Sequence, residues 1–251
     1  MSLSSRIDQA LSPAPDPRRI AGLTSIPFAH RGLHGGAVIE NSRAAFQAAI
    51  DRGHGIELDV QVSRDGEAFV FHDEELGRLA DGVGTLGVLT SVRIGGCRLK
   101  GCSETIPTLS EILRLIDGRV PLLIEVKAKG RRVRKVCRAV RRALEGYGGT
   151  VAVMSFNPLV GRWYRLHARQ VTRGLVVTEQ GRKRLRGWGE RRFAMARARP
   201  DFLAYEIRDL PSRFAGRQRA RGLPVLTWTV RTSLERERAD AYADQVIYED
   251  V

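Results

Sequence analysis

The chain has 251 residues, 43% of them hydrophobic and 28% charged, a composition typical of globular proteins and unlike that of disordered or fibrous chains. The formal net charge of +14 is unusual, and it favours anionic partners without distinguishing a phosphorylated substrate from anionic lipid or nucleic acid. No apolar run approaches the roughly 20 residues that a membrane-spanning helix needs, and the first residues lack the pattern of a signal peptide.

The three cysteines, Cys97, Cys102 and Cys137, are an odd number and lack the spacing of a metal site. Such cysteines suit a reducing compartment better than a disulfide-stabilised scaffold. Because no signal peptide is evident either, the sequence predicts a cytoplasmic location.

Strand-like and helix-like segments alternate along the sequence after an N-terminal extension of about 24 residues. Eight strands that alternate with helices over about 250 residues predict a (β/α)8 TIM barrel, formed as a single domain over residues 1–251. An open doubly wound sheet is the alternative, and it is less favoured because no glycine-rich phosphate loop follows the first strand. The predicted strands are 26–30, 55–61, 121–128, 150–156, 172–178, 201–207, 223–230 and 245–251.

Three helix-like segments, 41–52, 108–116 and 131–147, have apolar residues at helical spacing. The first begins with a candidate cap, either Asn41 or Ser42. The third carries arginines on the face opposite its apolar residues. The apolar side predicted for the first consists of Ala44, Ala45, Ala48 and Ala49.

Residues 55–73 predict two strands joined by a turn at Asp65 and Gly66. Glu57 and Asp59 lie two residues apart on the first of these strands and therefore share one face. The glycine-rich stretch that follows, 74–105, predicts a small inserted lobe or long loop, which is more often functional than accidental.

In a barrel of this kind the reactive side chains lie at the C-terminal ends of the strands. Three unpaired carboxylates about 4 Å apart would repel one another by about 4 kcal/mol per pair at an effective dielectric of about 20. A divalent cation removes this repulsion, and an all-oxygen ligand set indicates Mg²⁺ or Ca²⁺ rather than zinc. The residues at these strand ends are His30, Arg31, Glu57, Asp59, His72, Glu125, Lys127 and Trp228.

Two histidines outside that ligand set could act as general acid and base near neutral pH. Arg31 and Lys127, together with a metal, could neutralise a phosphodiester and stabilise the charge of its transition state. Each residue alone also has a structural interpretation: His30 as an ordinary buried histidine, Trp228 as a core residue, and the arginine-rich helix as the solvated outer face of a barrel. The combined set favours phosphoryl chemistry.

The sequence resembles the glycerophosphodiester phosphodiesterase family from about His30 to its end. The set of motifs in the N-terminal half is highly specific, and the C-terminal half is less so. The motifs occur here as His30-Arg31-Gly32, Glu40-Asn41-Ser42, Glu57-Leu58-Asp59-Val60, Asp65-Gly66, His72-Asp73, Ile106-Pro107-Thr108-Leu109, Glu125-Val126-Lys127, Ser155-Phe156 and Trp228-Thr229-Val230.

The resemblance implies a TIM barrel with a small insertion after the second strand, and one divalent cation as cofactor. It assigns His30 and His72 to acid–base catalysis, Glu57, Asp59 and Glu125 to the metal, Arg31 and Lys127 to the phosphate, Trp228 to the glycerol end, and Glu40 and Asn41 to support of the first loop. The chain departs from the family pattern at three positions. Ile39 replaces a common proline, Arg231 a common asparagine, and Glu249, before Asp250, a common threonine.

The predicted activity is hydrolysis of a glycerophosphodiester to glycerol 3-phosphate and an alcohol, by water directly or through a cyclic phosphate. A close alternative is a lysophospholipase D-type activity at a membrane surface, for which the glycine-rich lobe would need an exposed apolar rim. A third alternative is a non-catalytic barrel that binds anions or nucleic acid. Because aromatic residues are only 6% of the chain, no specific nucleic acid is expected. The basic charge makes a weak contact with anionic membrane a further expectation.

Overall fold

The structure is a computed structural model that describes residues 3–181 and 185–250, so the last residue of the predicted strand 245–251 lies outside the described residues. Over these ranges the chain forms ten α-helices and nine β-strands. In chain order they are α1 (Leu3–Leu11), α2 (Pro17–Thr24), β1 (Phe28–His30), α3 (Arg43–Asp51), β2 (Gly55–Val62), β3 (Ala68–Val70), α4 (Ser91–Gly95), α5 (Leu109–Ile116), β4 (Leu122–Val126), α6 (Arg134–Ala143), β5 (Val151–Ser155), α7 (Pro158–His167), β6 (Thr172–Val177), α8 (Leu185–Ala198), β7 (Phe202–Glu206), α9 (Arg213–Ala220), β8 (Val225–Val230), α10 (Ser233–Tyr242) and β9 (Gln245–Tyr248).

Each of the eight predicted strands is present, as β1, β2 and β4 to β9, and β3 is the return arm of the predicted hairpin. The chain folds into two compact units. The first unit contains residues 28–151 and 249–251, and the second contains residues 1–27 and 152–248. No helix in the part of the chain that the structure describes is long and apolar enough to cross a bilayer.

The first unit is built around β2, which pairs in parallel with β1 and β4 and antiparallel with β3. The first six residues of β2 are all buried, as expected for a central strand of a parallel sheet that is covered on both faces. The pairing aligns His30 with Glu57 and Asp59 with Glu125. Charged side chains from three strands are therefore brought to one region of the sheet.

Helix α3 follows the first strand, and Ser42 rather than Asn41 caps it by accepting a hydrogen bond of 3.1 Å from the amide of Ala45. The predicted apolar face was wrong in part, because Ala44 is exposed. The bulkier Phe and Ile side chains determine which face packs on the sheet. The buried residues of α3 are Ala45, Phe46, Ala49 and Ile50.

The glycine-rich lobe after β3 has a small core of its own, with the short helix α4 as its main regular element. It packs on the hairpin through two phenylalanines, one on β3 and one directly after it. The core residues are Phe69, Phe71, Leu76, Ala80, Leu86, Ile94, Leu99 and Ile106. The predicted inserted lobe is thus an ordered structure that lies next to the hairpin.

The second unit contains parallel pairings from β5 through β9 in chain order. The N-terminal extension contributes α1 and α2 to it, and Asp8 of α1 is only 4% exposed. Its carboxylate lies 3.0 Å from Arg192 and accepts a 3.0 Å hydrogen bond from Gln218. Since a buried charge is costly unless it is paired, these contacts bind the extension to the unit.

A Gly55→Ala substitution should destabilise the protein, because an added Cβ would lie 2.6 Å from the ring of Phe28, which is fully buried. Overpacking of this kind costs about 1–3 kcal/mol, which corresponds to a fall in Tm of about 2–4 °C per kcal/mol in a chain of this size. Thermal unfolding measures the change. Gly95→Ala is the matched control, because nothing lies within 4 Å of its added Cβ. Equal melting of Gly55→Ala and wild type would contradict the packing described for β1 and β2.

Candidate active site

The predicted site residues other than Trp228 all lie in the first unit, on β1, β2 and β4 or in the segments that follow β1, β3 and β4. Glu57, Asp59 and Glu125 form the centre, with exposures of 1%, 0% and 7%. One oxygen from each of the three carboxylates lies within 4.8 Å of the other two. The structure thus brings the three predicted acids together, and their role as metal ligands stays a prediction.

Asp59 is the most heavily paired of the three acids. Its carboxylate lies 2.9 Å from Nζ of Lys127 and 3.1 Å from Nε of Arg31, and it accepts a 3.0 Å hydrogen bond from Nδ2 of Asn41. Burial alone would raise the pKa of Asp59, but Lys127 and Arg31 outweigh it and lower that pKa below its usual value. Asp59 is thus a carboxylate at any ordinary pH.

Glu57 and Glu125 show the opposite shift. Burial raises the pKa of Glu57 well above its usual value, and the charges of Asp59 and Glu125 add to the effect. Burial also raises the pKa of Glu125, although Lys127, at 2.7 Å from its carboxylate, partly offsets the shift. The positive charge near Glu57 and Glu125 therefore does not offset the cost of burying their carboxylates.

The carboxylate cluster fits a hard divalent cation. Oε1 of Glu57 is buried and has no hydrogen-bond partner in the described part of the chain. An orphaned carboxylate oxygen beside two further carboxylates is the oxygen-only donor set that Mg²⁺ and Ca²⁺ prefer. Glu57, Asp59 and Glu125 can thus bind one divalent cation, which would neutralise the charge that the protein alone leaves uncompensated.

His30 lies at the end of β1 between two carboxylates. Its Nδ1 is 2.5 Å from Oε1 of Glu249, and its Nε2 is 3.9 Å from Oε2 of Glu57. Burial lowers the pKa of His30, against the opposing effect of the hydrogen bond to Glu249. Because a carboxylate only accepts, the neutral ring carries its proton on Nδ1, and Nε2 is left unprotonated on the side of the acid cluster.

His72 follows β3 and has a carboxylate partner of its own. Its Nδ1 lies 2.8 Å from Oδ1 of Asp73, and its side chain is 32% exposed. The side-chain amide of Gln61, on β2, donates to the carbonyl oxygens of Phe71 and His72 at 3.2 Å each, and to that of Asp73. Gln61 thereby fixes the backbone segment that carries His72.

Alternating charges connect the loops that carry the two histidines. Arg31 donates to Glu40 at 2.8 Å, and Arg78 of the glycine-rich lobe contacts the same oxygen at 3.0 Å. Arg78 also contacts Asp73 at 2.5 Å, and this contact lowers the pKa of Asp73. The lobe is therefore joined to both histidine loops by ion pairs.

Trp228 belongs to the second unit, where its role as a wall of the glycerol end stays a prediction. Its Nε1 donates a 3.0 Å hydrogen bond to the carbonyl of Ala204, and its ring meets that of Phe156 edge to face at 5.5 Å between centroids. The side chain is partly exposed rather than buried in a core.

Three residues at the site escaped the sequence prediction: Gln61, Arg78 and Glu249. Gln61 follows the same two-residue alternation as Glu57 and Asp59, so strand periodicity was a usable signal for it. Glu249 stood out only as a departure from the family pattern. Arg78 lies in an irregular lobe whose sequence has no period that could predict its contacts.

The comparisons with known proteins agree on one family. The model of the "Glycerophosphoryl diester phosphodiesterase family" matches residues 30–251. A glycerophosphodiester phosphodiesterase of Bacillus altitudinis is 38% identical over 109 residues, which are 41% of this chain and 44% of that protein. Human lysophospholipase D GDPD1 is 32% identical over 130 residues, 46% of this chain and 40% of that protein. The chain thus spans less than half the length of each of these relatives.

Solved structures match over nearly the whole chain. A phosphodiesterase of Oleispira antarctica, in complex with the product sn-glycerol-3-phosphate, has a TM-score of 0.79 at 25% identity and covers 90% of this chain and 94% of that chain. A protein from Silicibacter pomeroyi has a TM-score of 0.76 at 21% identity, over 92% and 93% of the two chains. The predicted TIM-barrel fold is thereby confirmed.

Replacing Lys127 by Met should destabilise the first unit, because it leaves Asp59 and Glu125 buried without their shared cation. Breaking a buried pair in this way costs about 3–5 kcal/mol, and added Mg²⁺ or Ca²⁺ should restore part of that loss. Thermal unfolding in chelator and in excess divalent cation tests both statements.

The matched control is Lys129→Met, two residues further on. Lys129 is 84% exposed and pairs with the exposed Glu74, so its loss should cost less than about 1 kcal/mol. Equal melting of the two variants would show that Lys127 does not compensate the buried acids.

Proposed function

Because the chain belongs to the glycerophosphoryl diester phosphodiesterase family, we propose that it hydrolyses glycerophosphodiesters to glycerol 3-phosphate and an alcohol. The observation that carries this proposal is the buried oxygen cluster of Glu57, Asp59 and Glu125 with two histidines at the neighbouring strand ends. A phosphodiester needs its negative charge neutralised and two protons moved, and this set of residues can do both.

In this mechanism Glu57, Asp59 and Glu125 would bind one Mg²⁺ or Ca²⁺ ion. When bound, such an ion supplies positive charge to the phosphate oxygens and to the transition state. Arg31 and Lys127 are 16% and 22% exposed at their side chains, and they would orient the phosphodiester from the same side as the acids that they contact. Glu40 and Asn41 would support this arrangement through their contacts with Arg31 and Asp59.

The two histidines would move the protons. An unprotonated ring nitrogen of one accepts the proton of the attacking hydroxyl, which belongs to water or to the substrate's own glycerol. The protonated nitrogen of the other donates to the departing alcohol oxygen as the P–O bond breaks. Glu249 would keep the proton of His30 on Nδ1, which leaves Nε2 for the reaction, and Asp73 would orient His72 in the same way.

A lysophospholipase D-type activity is the second candidate, and the surface of the glycine-rich lobe favours it. Val83, Val88 and Val92 are 89%, 61% and 84% exposed, whereas Leu86 is buried. These valines are candidates for the exposed apolar rim that contact with lipid would require. The relative in Homo sapiens named lysophospholipase D is a further reason to test lipid substrates.

A cytoplasmic location, a single domain and the absence of specific nucleic-acid binding stay predictions from the sequence.

Substitution of either histidine tests the acid–base roles. His30→Ala and His72→Ala should each lower kcat by about 10²–10⁴-fold without a comparable loss of Tm. The assay measures release of glycerol 3-phosphate from a water-soluble diester. His54→Ala is the control, because His54 lies in the turn between α3 and β2 and belongs to neither group of candidate metal ligands. Retained turnover in either of the first two variants would remove that histidine from the mechanism.

The substrate class is tested with a panel of glycerophosphodiesters and lysophospholipids, on protein stripped of metal and then supplied with Mg²⁺ or Ca²⁺. We expect turnover of the water-soluble diesters only after the metal is restored. Preference for lysophospholipids, weakened by Val83→Ser and Val88→Ser, would favour the second candidate. No turnover of any member by folded, metal-supplied protein would contradict both activities and leave the binding-only alternative.

A further inference from the structure

We propose that His30, His34 and Glu249 form a second metal site, which takes a zinc-like transition ion and stops turnover when it is filled. One ligand atom from each residue lies within 4.8 Å of the other two. The site shares no protein ligand with the acid cluster of Glu57, Asp59 and Glu125. The inhibitory part of this inference rests on the proposed function, whereas the binding part does not.

The distances suit a tetrahedral ion. Oε1 of Glu249 is 2.5 Å from Nδ1 of His30 and 3.9 Å from Nε2 of His34. Zinc–nitrogen and zinc–oxygen bonds of about 2.0–2.2 Å place neighbouring ligand atoms of a tetrahedral site about 3.3–3.6 Å apart. The two separations from Glu249 lie on either side of that range, and the two imidazole nitrogens lie within 4.8 Å of each other, so side-chain shifts would bring the three atoms into ligand positions.

The donor types select the ion. Two imidazoles and one carboxylate, with a fourth position open to water, are a zinc set, and imidazole is a poor ligand for Mg²⁺ and Ca²⁺. Nε2 of His34 is buried and makes no hydrogen bond within the described ranges of the chain. This nitrogen lies 3.9 Å from Oε1 of Glu249 and is therefore available to a metal ion.

The backbone around His34 is fixed before any metal binds. The amide of Leu33 donates to the carbonyl of Ala45 on α3 at 2.9 Å, and Gly35 and Val38 exchange two hydrogen bonds of 3.0 Å. On the other side, Asp250 forms an ion pair with Arg52, which anchors the segment that carries Glu249. A preformed backbone lowers the entropy that metal binding would otherwise cost.

Metal binding at this site changes the chemistry of His30. The ion accepts an electron pair from Nδ1, and the ligated ring stays a neutral imidazole by carrying its proton on Nε2 instead of Nδ1. Nε2 then has no free electron pair with which to accept the proton of an attacking hydroxyl. The bound ion also breaks the direct hydrogen bond between His30 and Glu249 and fixes the ring to the metal. Turnover should therefore fall while the acid cluster stays intact.

Direct binding gives a readout that does not depend on turnover. Equilibrium dialysis with Zn²⁺ in excess Mg²⁺, and the visible absorption of Co²⁺ as a spectroscopic substitute, are measured on wild type, His34→Gln and His54→Ala. We expect His34→Gln to bind the ion at least about 10-fold more weakly and to lose the tetrahedral Co²⁺ bands. His54→Ala should bind as wild type does.

A further variant, Glu125→Gln, separates the two clusters because it removes a ligand of the acid cluster only. It should retain the zinc site. Wild-type affinity in His34→Gln, or loss of the ion in Glu125→Gln, would place the zinc elsewhere and overturn the proposal.

Inhibition is tested on the same proteins with a water-soluble glycerophosphodiester. His34→Gln should keep the basal turnover and should need at least about 10-fold more Zn²⁺ for half-inhibition. Equal inhibition of His34→Gln and wild type would overturn the inhibitory role. If no diester is turned over, the proposed function fails while dialysis still decides the site. If turnover is normal and no zinc binds, only this inference fails.

Discussion

The burial of three carboxylates on two neighbouring strands is the constraint on which the rest of the first unit depends. A buried carboxylate costs several kcal/mol unless a cation or hydrogen-bond donor compensates it. Asp59 is compensated by Arg31 from the loop after β1, by Asn41 from the residues before α3, and by Lys127 from the end of β4. One acid on the central strand thus orients two separate loops, the one between β1 and α3 and the one after β4. Glu57 and Glu125 have less positive charge nearby than Asp59 has, and burial raises their pKa values. A bound cation would supply the positive charge that these two carboxylates lack.

The two histidines have the same kind of partner in different surroundings. The side chain of His30 is 11% exposed and contacts Glu249, whereas the side chain of His72 is 32% exposed and contacts Asp73. The pair of Arg78 with Asp73 extends from the second histidine into the glycine-rich lobe. Folding of the lobe and orientation of His72 are therefore coupled through one arginine. The same lobe exposes its valines to solvent, so a surface that could meet lipid and a group that could move protons belong to one small structure.

The strands and the acid cluster were predictable because they follow from short-range rules. A two-residue period put Glu57 and Asp59 on one face, and parallel pairing brought Glu125 beside them. The buried face of α3 was misjudged at Ala44, because bulky side chains rather than alanines decide how a helix packs. The contacts of Arg78 and Glu249 were not predictable in the same way. They join residues without a common period, and the partner of His30 lies 219 positions further along the chain.

That separation has a consequence for the order in which the site can assemble. Glu249 belongs to the first unit, yet it follows the whole of residues 152–248, which form the second unit. Long-range contacts of this kind close late, because the chain between them must be synthesised and the loop entropy overcome first. A nascent chain that has completed residues 28–151 carries both histidines and all three buried acids, but His30 still lacks its carboxylate. The proton on its imidazole is thus fixed in place only after the second unit has been made.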